Sequence, residues 1–309
     1  MRLALMIEGQ EGPTWDDWVA LAETCEANGV EAMFRSDHYL SFFDEKRPAL
    51  DAWATLAALA ARTSKLRLGT LVSPGTFRHP AVLARNAVTA HDVSGGRIEL
   101  GVGAGWNERE HMAYGFPFLD APGRVALFAE QLEIVHGLLR NERFGFEGAQ
   151  YTLDDAPGTP RPDLPIVVGG SAYRGTVDPA VRFADEYNTF FATMDELRER
   201  KRRLDGGCER AGRDPATLRY SLMGPFVVGT DESDLRERAG RWGARFGQSA
   251  DDVLGSRGQR GAIGTVEQVI EQLREIEEIG YERVMLQHLP HDDLETVALI
   301  GRELAPAVA

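Results

Sequence analysis

Short apolar runs alternate with amphipathic stretches along most of the chain. In the stretch that contains Leu132, Val135 and Leu139, apolar residues recur every three or four positions, which is typical of a helix packed on one face. The apolar runs predict buried strands at residues 3–7, 30–34, 66–72, 98–102, 166–168, 186–190, 219–228 and 283–288. Strand alternating with helix indicates a parallel sheet, and this number of units in 309 residues predicts a closed (βα)8 TIM barrel, an α/β fold.

Two stretches break this alternation and are predicted to be insertions in the barrel. Residues 144–165 combine a hairpin-like segment with a proline-rich loop, and residues 246–264 mix glycines with alternating charges. Gly224-Pro225 interrupts the seventh strand, which leaves the usable length of that strand open. We therefore predict one barrel domain over residues 1–309, with a substrate pocket that the two insertions shape.

Composition and charge limit the classes of partner. The chain is 43% hydrophobic and 27% charged, as in an ordinary globular protein, and no apolar run is long enough to predict a membrane span. Its formal charge of −14 disfavours nucleic acid, which is bound through cationic contacts to phosphate. Cys25 and Cys208 lie far apart, so we expect packing roles for them and neither a disulfide nor a metal. These features predict a cytoplasmic protein that acts on a small molecule.

Polar clusters follow four of the predicted strands. Because the carboxyl ends of barrel strands open at one mouth, we expect these clusters to meet there and to form the active site. They lie at residues 37–38, 70–74, 103–108 and 169–171. Their shared position is stronger evidence than any one of them.

The first and last clusters suggest particular chemistry. A histidine beside a carboxylate can be held in one tautomer and tuned near neutrality, so His38 with Asp37 is a candidate for moving a proton. Gly169, Gly170 and Ser171 offer bare backbone N–H groups at the start of a helix, which suits a phosphate. Alternatively, Asp37-His38 caps a turn and the glycine pair only opens a helix.

Two longer motifs carry a family resemblance. The segments LGTLVSPGTFRHPAVLA at residues 68–84 and SGGRIELGVGAGWNEREH at residues 94–111 resemble the luciferase-like monooxygenase superfamily. Within it, the chain resembles the branch that uses the deazaflavin coenzyme F420. The resemblance implies a (βα)8 barrel with insertions, in agreement with the pattern of strands and helices, and a homodimer.

The resemblance also implies roles for individual residues. Asp37 and His38 would lie by the coenzyme ring, with His38 as the acid/base, and Asn107 would approach the ring and its ribityl chain. A cis non-proline peptide at Thr70 to Leu71, with Val72 and Ser73 alongside, would back the ring. The backbone of Gly169, Gly170 and Ser171 would hold the coenzyme phosphate.

Two departures from the family pattern are visible. Ala172 follows Ser171 where many relatives carry glycine. The coenzyme also carries an acidic tail, whereas this chain is strongly acidic overall. Local basic residues such as Arg78 and Arg174 would therefore have to hold that tail.

The resulting hypothesis is an oxidoreductase that transfers a hydride between coenzyme F420 and a small organic substrate, without a metal. One alternative is an FMN-dependent luciferase-like monooxygenase, in which reduced flavin activates oxygen. Another is an F420-binding protein without turnover. The sequence does not identify the substrate, because the two insertions carry no recognisable motif.

Overall fold

The apolar runs form parallel strands that close into a barrel in the computed structural model, which describes residues 1–255 and 261–309, apart from the side chain of Arg174. Each strand pairs with the next, and the last strand pairs with the first. In chain order the strands are β1 (Arg2–Ile7), β2 (Ala32–Arg35), β3 (Arg67–Thr70), β4 (Ile98–Gly103), β5 (Ile166–Gly169), β6 (Glu186–Phe190), β7 (Arg219–Gly229) and β8 (Arg283–Gln287). The predicted TIM barrel is confirmed.

Helices pack around this barrel and begin where capping residues predict. Thr14 accepts a hydrogen bond from the backbone N–H of Asp17, whose carboxylate accepts one from the N–H of Thr14. Thr193 and Thr265 open their helices in the same way. The described helices include α1 (Trp15–Asn28), α2 (Ala52–Arg62), α3 (Pro80–Ser94), α4 (Ala121–Arg140), α5 (Arg174–Phe183), α6 (Met194–Arg210), α7 (Val266–Ile279) and α8 (Leu294–Leu299). A further helix, Glu232–Ala244, follows β7.

The apolar core has three parts: a large one between the strands and helices, one inside the barrel and a smaller one beside the end of β7. Inside, Met6, Phe34 and Met285 pack in one apolar cluster. At the amino-terminal end of the strands, the guanidinium of Arg283 lies between Glu99 and Glu186, and all three side chains are almost completely buried. This end of the barrel is closed by an ion cluster, so the opposite end is the one available for ligands.

The first predicted insertion agrees with its sequence pattern, and the second contains more regular structure than its sequence suggests, a short helix Ala250–Leu254 and a strand. The first contains a hairpin of strands Arg143–Glu147 and Thr152–Pro157, as predicted. β7 continues through Gly224-Pro225 because its partner changes there: up to Pro225 it pairs with β8, and beyond it with strand Ala262–Thr265. Residues 256–260, within the second predicted insertion, lie outside the described residues.

The third strand ends earlier than predicted. The backbone N–H of Leu71 still donates to the carbonyl of Arg35 at 2.7 Å, so the strand ladder holds up to that residue and the chain turns immediately after it. The cis peptide is Leu71–Val72, and the predicted position at Thr70–Leu71 is wrong by one residue. A short strand, Ser73–Pro74, then pairs with β4.

Other predictions concern cysteines and membrane spans. Cys25 and Cys208 are both free and buried, which agrees with packing roles. Within the described ranges, no helix has the length and hydropathy needed to cross a membrane.

Candidate active site

A cavity of about 630 Å³ opens at the carboxyl ends of the strands. Ligand sites in proteins commonly have volumes in this range, and in TIM barrels they lie at this end. Of the predicted site residues, those that line the cavity are His38, Leu71, Val72, Gly169, Gly170 and Ser171. The predicted clusters therefore meet at one mouth.

One wall of the cavity consists of glycines packed against Val72. A Cβ atom on Gly103 would lie 2.7 Å from Cγ2 of Val72, and one on Gly169 would lie 2.9 Å from its Cγ1. Real Cβ atoms do not approach other atoms this closely, so both positions require glycine while Val72 stays in place. This wall thus presents bare backbone and the side chains of Leu71 and Val72, a surface without protruding polar groups on which a flat ring can lie.

His38 faces the same cavity and is paired with a carboxylate distant in sequence. Its Nδ1 lies 2.6 Å from Oε2 of Glu110, which is fully buried. Because a carboxylate only accepts, the Nδ1–H donates and Nε2 has no partner among the described residues. Burial lowers the pKa of His38, but the hydrogen bond and charge of Glu110, with smaller contributions from Glu8 and Asp37, outweigh it, so the pKa is raised.

The position of Glu110 depends on the start of a short helix, Glu108–Tyr114. Asn107 caps this helix, and its Oδ1 accepts a hydrogen bond from the N–H of Glu110 at 3.3 Å. The other carboxylate oxygen of Glu110 accepts from the backbone N–H groups of Tyr39 and Leu40. Asn107 was predicted beside the ring, but in the structure its side chain positions Glu110 and does not line the cavity.

Asp37 does not hold His38, contrary to the prediction. The Asp37 side chain points away from the cavity into the interior, where it is fully buried. Its carboxylate accepts from Arg78 at 2.5 Å and from Ser73 at 2.6 Å. Because Arg78 also binds Asp51, it is not available for an acidic coenzyme tail. The side chain of Arg174 lies outside the described part of the chain.

Thr70 and Ser73 support the glycine wall from behind. The hydroxyl of Thr70 donates to the carbonyl of Gly101 at 2.8 Å and accepts from its N–H at 3.1 Å. The hydroxyl of Ser73 accepts from Nε1 of Trp53 while donating to Asp37. Both residues are fully buried and neither lines the cavity, so their hydrogen bonds hold the strand end in place.

The predicted phosphate loop keeps a glycine-like shape despite its alanine. Ala172 has a φ of 57°, in the left-handed region that glycine favours. Its N–H donates to the hydroxyl of Tyr187 at 3.0 Å, which fixes this turn. α5 begins two residues later, and its N-cap residue, Tyr173, makes no side-chain capping bond. Unsatisfied N–H groups at a helix start attract anions, so the loop remains suited to a phosphate.

The sequence analysis missed several residues of the cavity floor. Glu8 accepts from Nε2 of Gln287 at 2.6 Å and from Nε2 of Gln10 at 3.0 Å, and both Glu8 and Gln287 line the cavity. Glu8 directly follows β1, and Gln287 is the last residue of β8, so their positions at strand ends were the available signal. Within the described residues, no group of three or more His, Cys, Asp or Glu could hold a metal ion.

Aromatic side chains form a large part of the remaining lining. Phe42 and Phe43 follow β2, Trp106 follows β4, and Trp242 and Phe246 come from the segment after β7. The rings of Phe43 and Phe246 meet edge to face with centroids 4.5 Å apart. This contact joins the β2 loop to the second insertion across the mouth of the cavity.

The sequence of the chain matches a known protein family. The model of the luciferase-like monooxygenase family matches residues 2–283. A protein of Microbacterium testaceum named F420-dependent glucose-6-phosphate dehydrogenase is 28% identical over 304 residues, which span 91% of this chain and 90% of the relative.

Two solved structures share the fold. An F420-dependent secondary alcohol dehydrogenase in complex with an F420-acetone adduct superimposes with a TM-score of 0.80 at 20% identity, covering 100% of this chain and 99% of the other. The monooxygenase RslO1 of Streptomyces bottropensis gives 0.83 at 20% identity, with complete coverage of both chains. At this identity the two structures support the fold alone.

Proposed function

The chain belongs to the luciferase-like monooxygenase family, and we propose that it transfers a hydride between coenzyme F420 and a small organic substrate. The observation that carries this proposal is the His38–Glu110 pair at a cavity with a glycine wall. The relative named as an F420-dependent dehydrogenase, which aligns over most of the chain, supports the choice of coenzyme.

The residues present fit a deazaflavin. The backbone surface at Gly103 and Gly169, together with Leu71 and Val72, would hold the flat ring, and the loop before α5 would hold the phosphate. When bound, the coenzyme supplies a ring carbon that accepts or gives a hydride. The protein contributes orientation of the reactants and exclusion of water.

His38 is suited to move the proton that accompanies the hydride. An alcohol that is oxidised loses a hydride, with two electrons, from its carbon and a proton from its hydroxyl group, and becomes a carbonyl compound. Nε2 of neutral His38 accepts this proton, while Glu110 on Nδ1 stabilises the imidazolium that forms. In the reverse direction the imidazolium donates the proton to the carbonyl oxygen.

Changing Gly103 tests the proposed ring surface. We expect Gly103→Ala to raise the dissociation constant for F420 about tenfold or more, because the new Cβ displaces Val72 from the wall. Gly206→Ala is the matched control, since Gly206 lies in α6 and its Cβ would meet only the flexible end of Arg210, at 3.4 Å. Fluorescence titration with the coenzyme measures both. Equal affinity in the two variants would place the ring elsewhere.

Replacing Glu110 tests the cause of the raised His38 pKa. In alcohol oxidation, kcat/KM should increase as the pH rises through the pKa of His38, because the neutral form is the base. Glu110→Gln removes the charge that raises this pKa, so we expect the rising limb to move to lower pH. Rates measured from pH 5 to 9 would reveal the shift. If the rise in kcat/KM occurs at the same pH in the variant, a group other than the Glu110-paired His38 controls the pH dependence.

Titration of the purified chain with F420 and with FMN tests the proposal as a whole. We expect F420 to bind in the micromolar range or tighter and FMN to bind more weakly. Tight FMN binding without F420 binding would favour the monooxygenase alternative. Binding of F420 without reduction by any donor would favour a protein that carries the coenzyme without turnover.

Three further predictions accompany this proposal. We propose that residues 1–309 form one domain, that the protein is a homodimer and that it is located in the cytoplasm. The family resemblance supports the dimer, and composition supports the location.

A further inference from the structure

We propose that the substrate is an uncharged, largely apolar alcohol or ketone, and that this chain does not oxidise a sugar phosphate as the name of its relative suggests. This inference rests on the proposed function, because it assigns the substrate class of the same site. Charge, aromatic lining and the number of free polar groups in the cavity support it independently.

The charge of the cavity disfavours a phosphate monoester. No lysine or arginine is among the described residues that line it, and its one carboxylate is Glu8. A dianion near Glu8 is repelled, and this repulsion is strong where water is largely excluded. Among the described lining residues, His38 alone can carry positive charge, and its Nδ1 already faces Glu110. A sugar phosphate would therefore lose its water shell without gaining a cationic partner.

The cleft beside the cavity does not supply this partner either. It measures about 600 Å³ and contains Arg200 and Glu196. Nη1 of Arg200 donates to the hydroxyl of Thr189 at 2.9 Å and to the carbonyl of Phe190 at 2.7 Å, and the carboxylate of Glu196 lies in the same cleft. Because the cleft pairs one cation with one anion, it offers little net attraction for a dianion.

The aromatic lining favours an apolar substrate. Phe42, Phe43 and Trp106 are 41%, 45% and 64% exposed, although large apolar side chains usually avoid water. Exposed apolar surface of this kind, gathered at a cavity, marks a binding site. Trp242 and Phe246 extend it, with ring centroids 4.4 Å apart. An apolar body of the substrate would cover these rings and release water from them.

Away from the loop before α5, several polar groups of the described lining already have partners. Glu8 and Gln287 bind each other, and the amide nitrogen of Asn188 donates to the hydroxyl of Ser221 at 2.8 Å. A sugar would bring several hydroxyl groups that need partners, and burying them unpaired is costly. On the His38 side of the cavity, a single hydroxyl or carbonyl group finds a free partner in Nε2.

Ligand binding and turnover should be measured separately with matched probes. Binding of 2-propanol, cyclohexanol, glucose and glucose 6-phosphate to the chain loaded with F420 is measured by quenching of tryptophan fluorescence. We expect cyclohexanol to bind at least tenfold more tightly than glucose 6-phosphate and to reduce the coenzyme. Tighter binding or faster oxidation of glucose 6-phosphate, or no preference for cyclohexanol over glucose, would overturn the inference.

A variant of the aromatic lining separates this inference from the proposed function. Phe246→Ala should raise the dissociation constant and the KM for cyclohexanol about tenfold and leave the affinity for F420 unchanged, whereas Phe246→Tyr should restore both. Met112→Ala is the control, because Met112 is exposed and does not line the cavity. Unchanged cyclohexanol binding in Phe246→Ala would overturn the inference. If the unaltered chain does not bind F420, the proposed function itself is refuted.

Discussion

Replacing His38 by alanine is expected to lower kcat/KM for alcohol oxidation by about 10³-fold, because a positioned acid/base contributes roughly 10²- to 10⁴-fold. Coenzyme affinity should change little, since the glycine wall and the loop before α5 do not depend on the imidazole. Steady-state kinetics with F420 and cyclohexanol, combined with coenzyme titration, measure both quantities.

His79→Ala is the matched control for this experiment. His79 is exposed at the start of α3 and does not line the cavity, so its removal should leave kcat/KM nearly unchanged. Thermal unfolding of both variants verifies that they fold. Full activity in folded His38→Ala would show that another group, or water, moves the proton.

Replacing Arg283 by methionine is expected to lower the free energy of unfolding by about 3 to 5 kcal/mol, because it leaves buried carboxylates without their cation. The guanidinium lies 2.7 Å from both Glu99 and Glu186, and each side chain is at most 2% exposed. It also lies over the ring of Phe34, at 4.9 Å. Urea unfolding followed by circular dichroism measures the loss.

Arg67→Met is the control for the buried cluster. Arg67 also binds Glu99, at 2.6 Å, but its side chain is 28% exposed, so water can replace it and a loss of about 1 kcal/mol is expected. The two variants should also differ in pH dependence. Although burial raises the pKa of Glu99, Arg283 and Arg67 lower it to about 2.

The sign of this pH dependence follows from the lowered pKa of Glu99. In the unaltered chain, the stabilisation is complete above the ordinary pKa of 4.5 and is lost as the pH falls toward 2. Without Arg283, Glu99 can be protonated more readily, so the stability difference between variant and parent should narrow from pH 7 to pH 4. A constant difference, or a loss below about 1 kcal/mol at pH 7, would show that the cluster contributes little.

The barrel could be predicted from sequence because strand burial leaves a local signature. Strands buried on both faces appear as apolar runs. In the helices between them, apolar residues recur every three or four positions. Gly169 and Gly170 could also be found from sequence because they directly end such a run, although they were predicted to hold a phosphate and Gly169 instead packs against Val72 in the cavity wall. The length of the seventh strand could not be predicted in this way, because its change of partner at Pro225 depends on a segment far along the chain.

The partners of the site residues could not be predicted in the same way. Asp37 is adjacent to His38 in sequence, but the two side chains diverge, and the carboxylate that binds His38 is 72 positions away. Asp37 instead binds Arg78, from the loop after the third strand. Such pairings depend on how separate loops fold over the strand ends, which apolar periodicity does not encode.

The aromatic lining shows the same limit. Phe246 belongs to an insertion without a recognisable motif, and its contact with Phe43 arises only when that segment folds back over the mouth. The family resemblance implied the coenzyme, whereas the proposed substrate class depends on these aromatic side chains. The resemblance also placed the cis peptide one residue too early, because the strand ladder extends to Leu71.

Isotope transfer from substrate to coenzyme tests the proposed reaction most directly. Cyclohexanol carrying deuterium on the carbinol carbon would be incubated with the chain and oxidised F420, and the reduced coenzyme would be analysed by mass spectrometry. Direct hydride transfer predicts one deuterium in each reduced coenzyme and an equal amount of cyclohexanone. Reduced coenzyme without deuterium, or product that forms only with reduced FMN and oxygen, would contradict it.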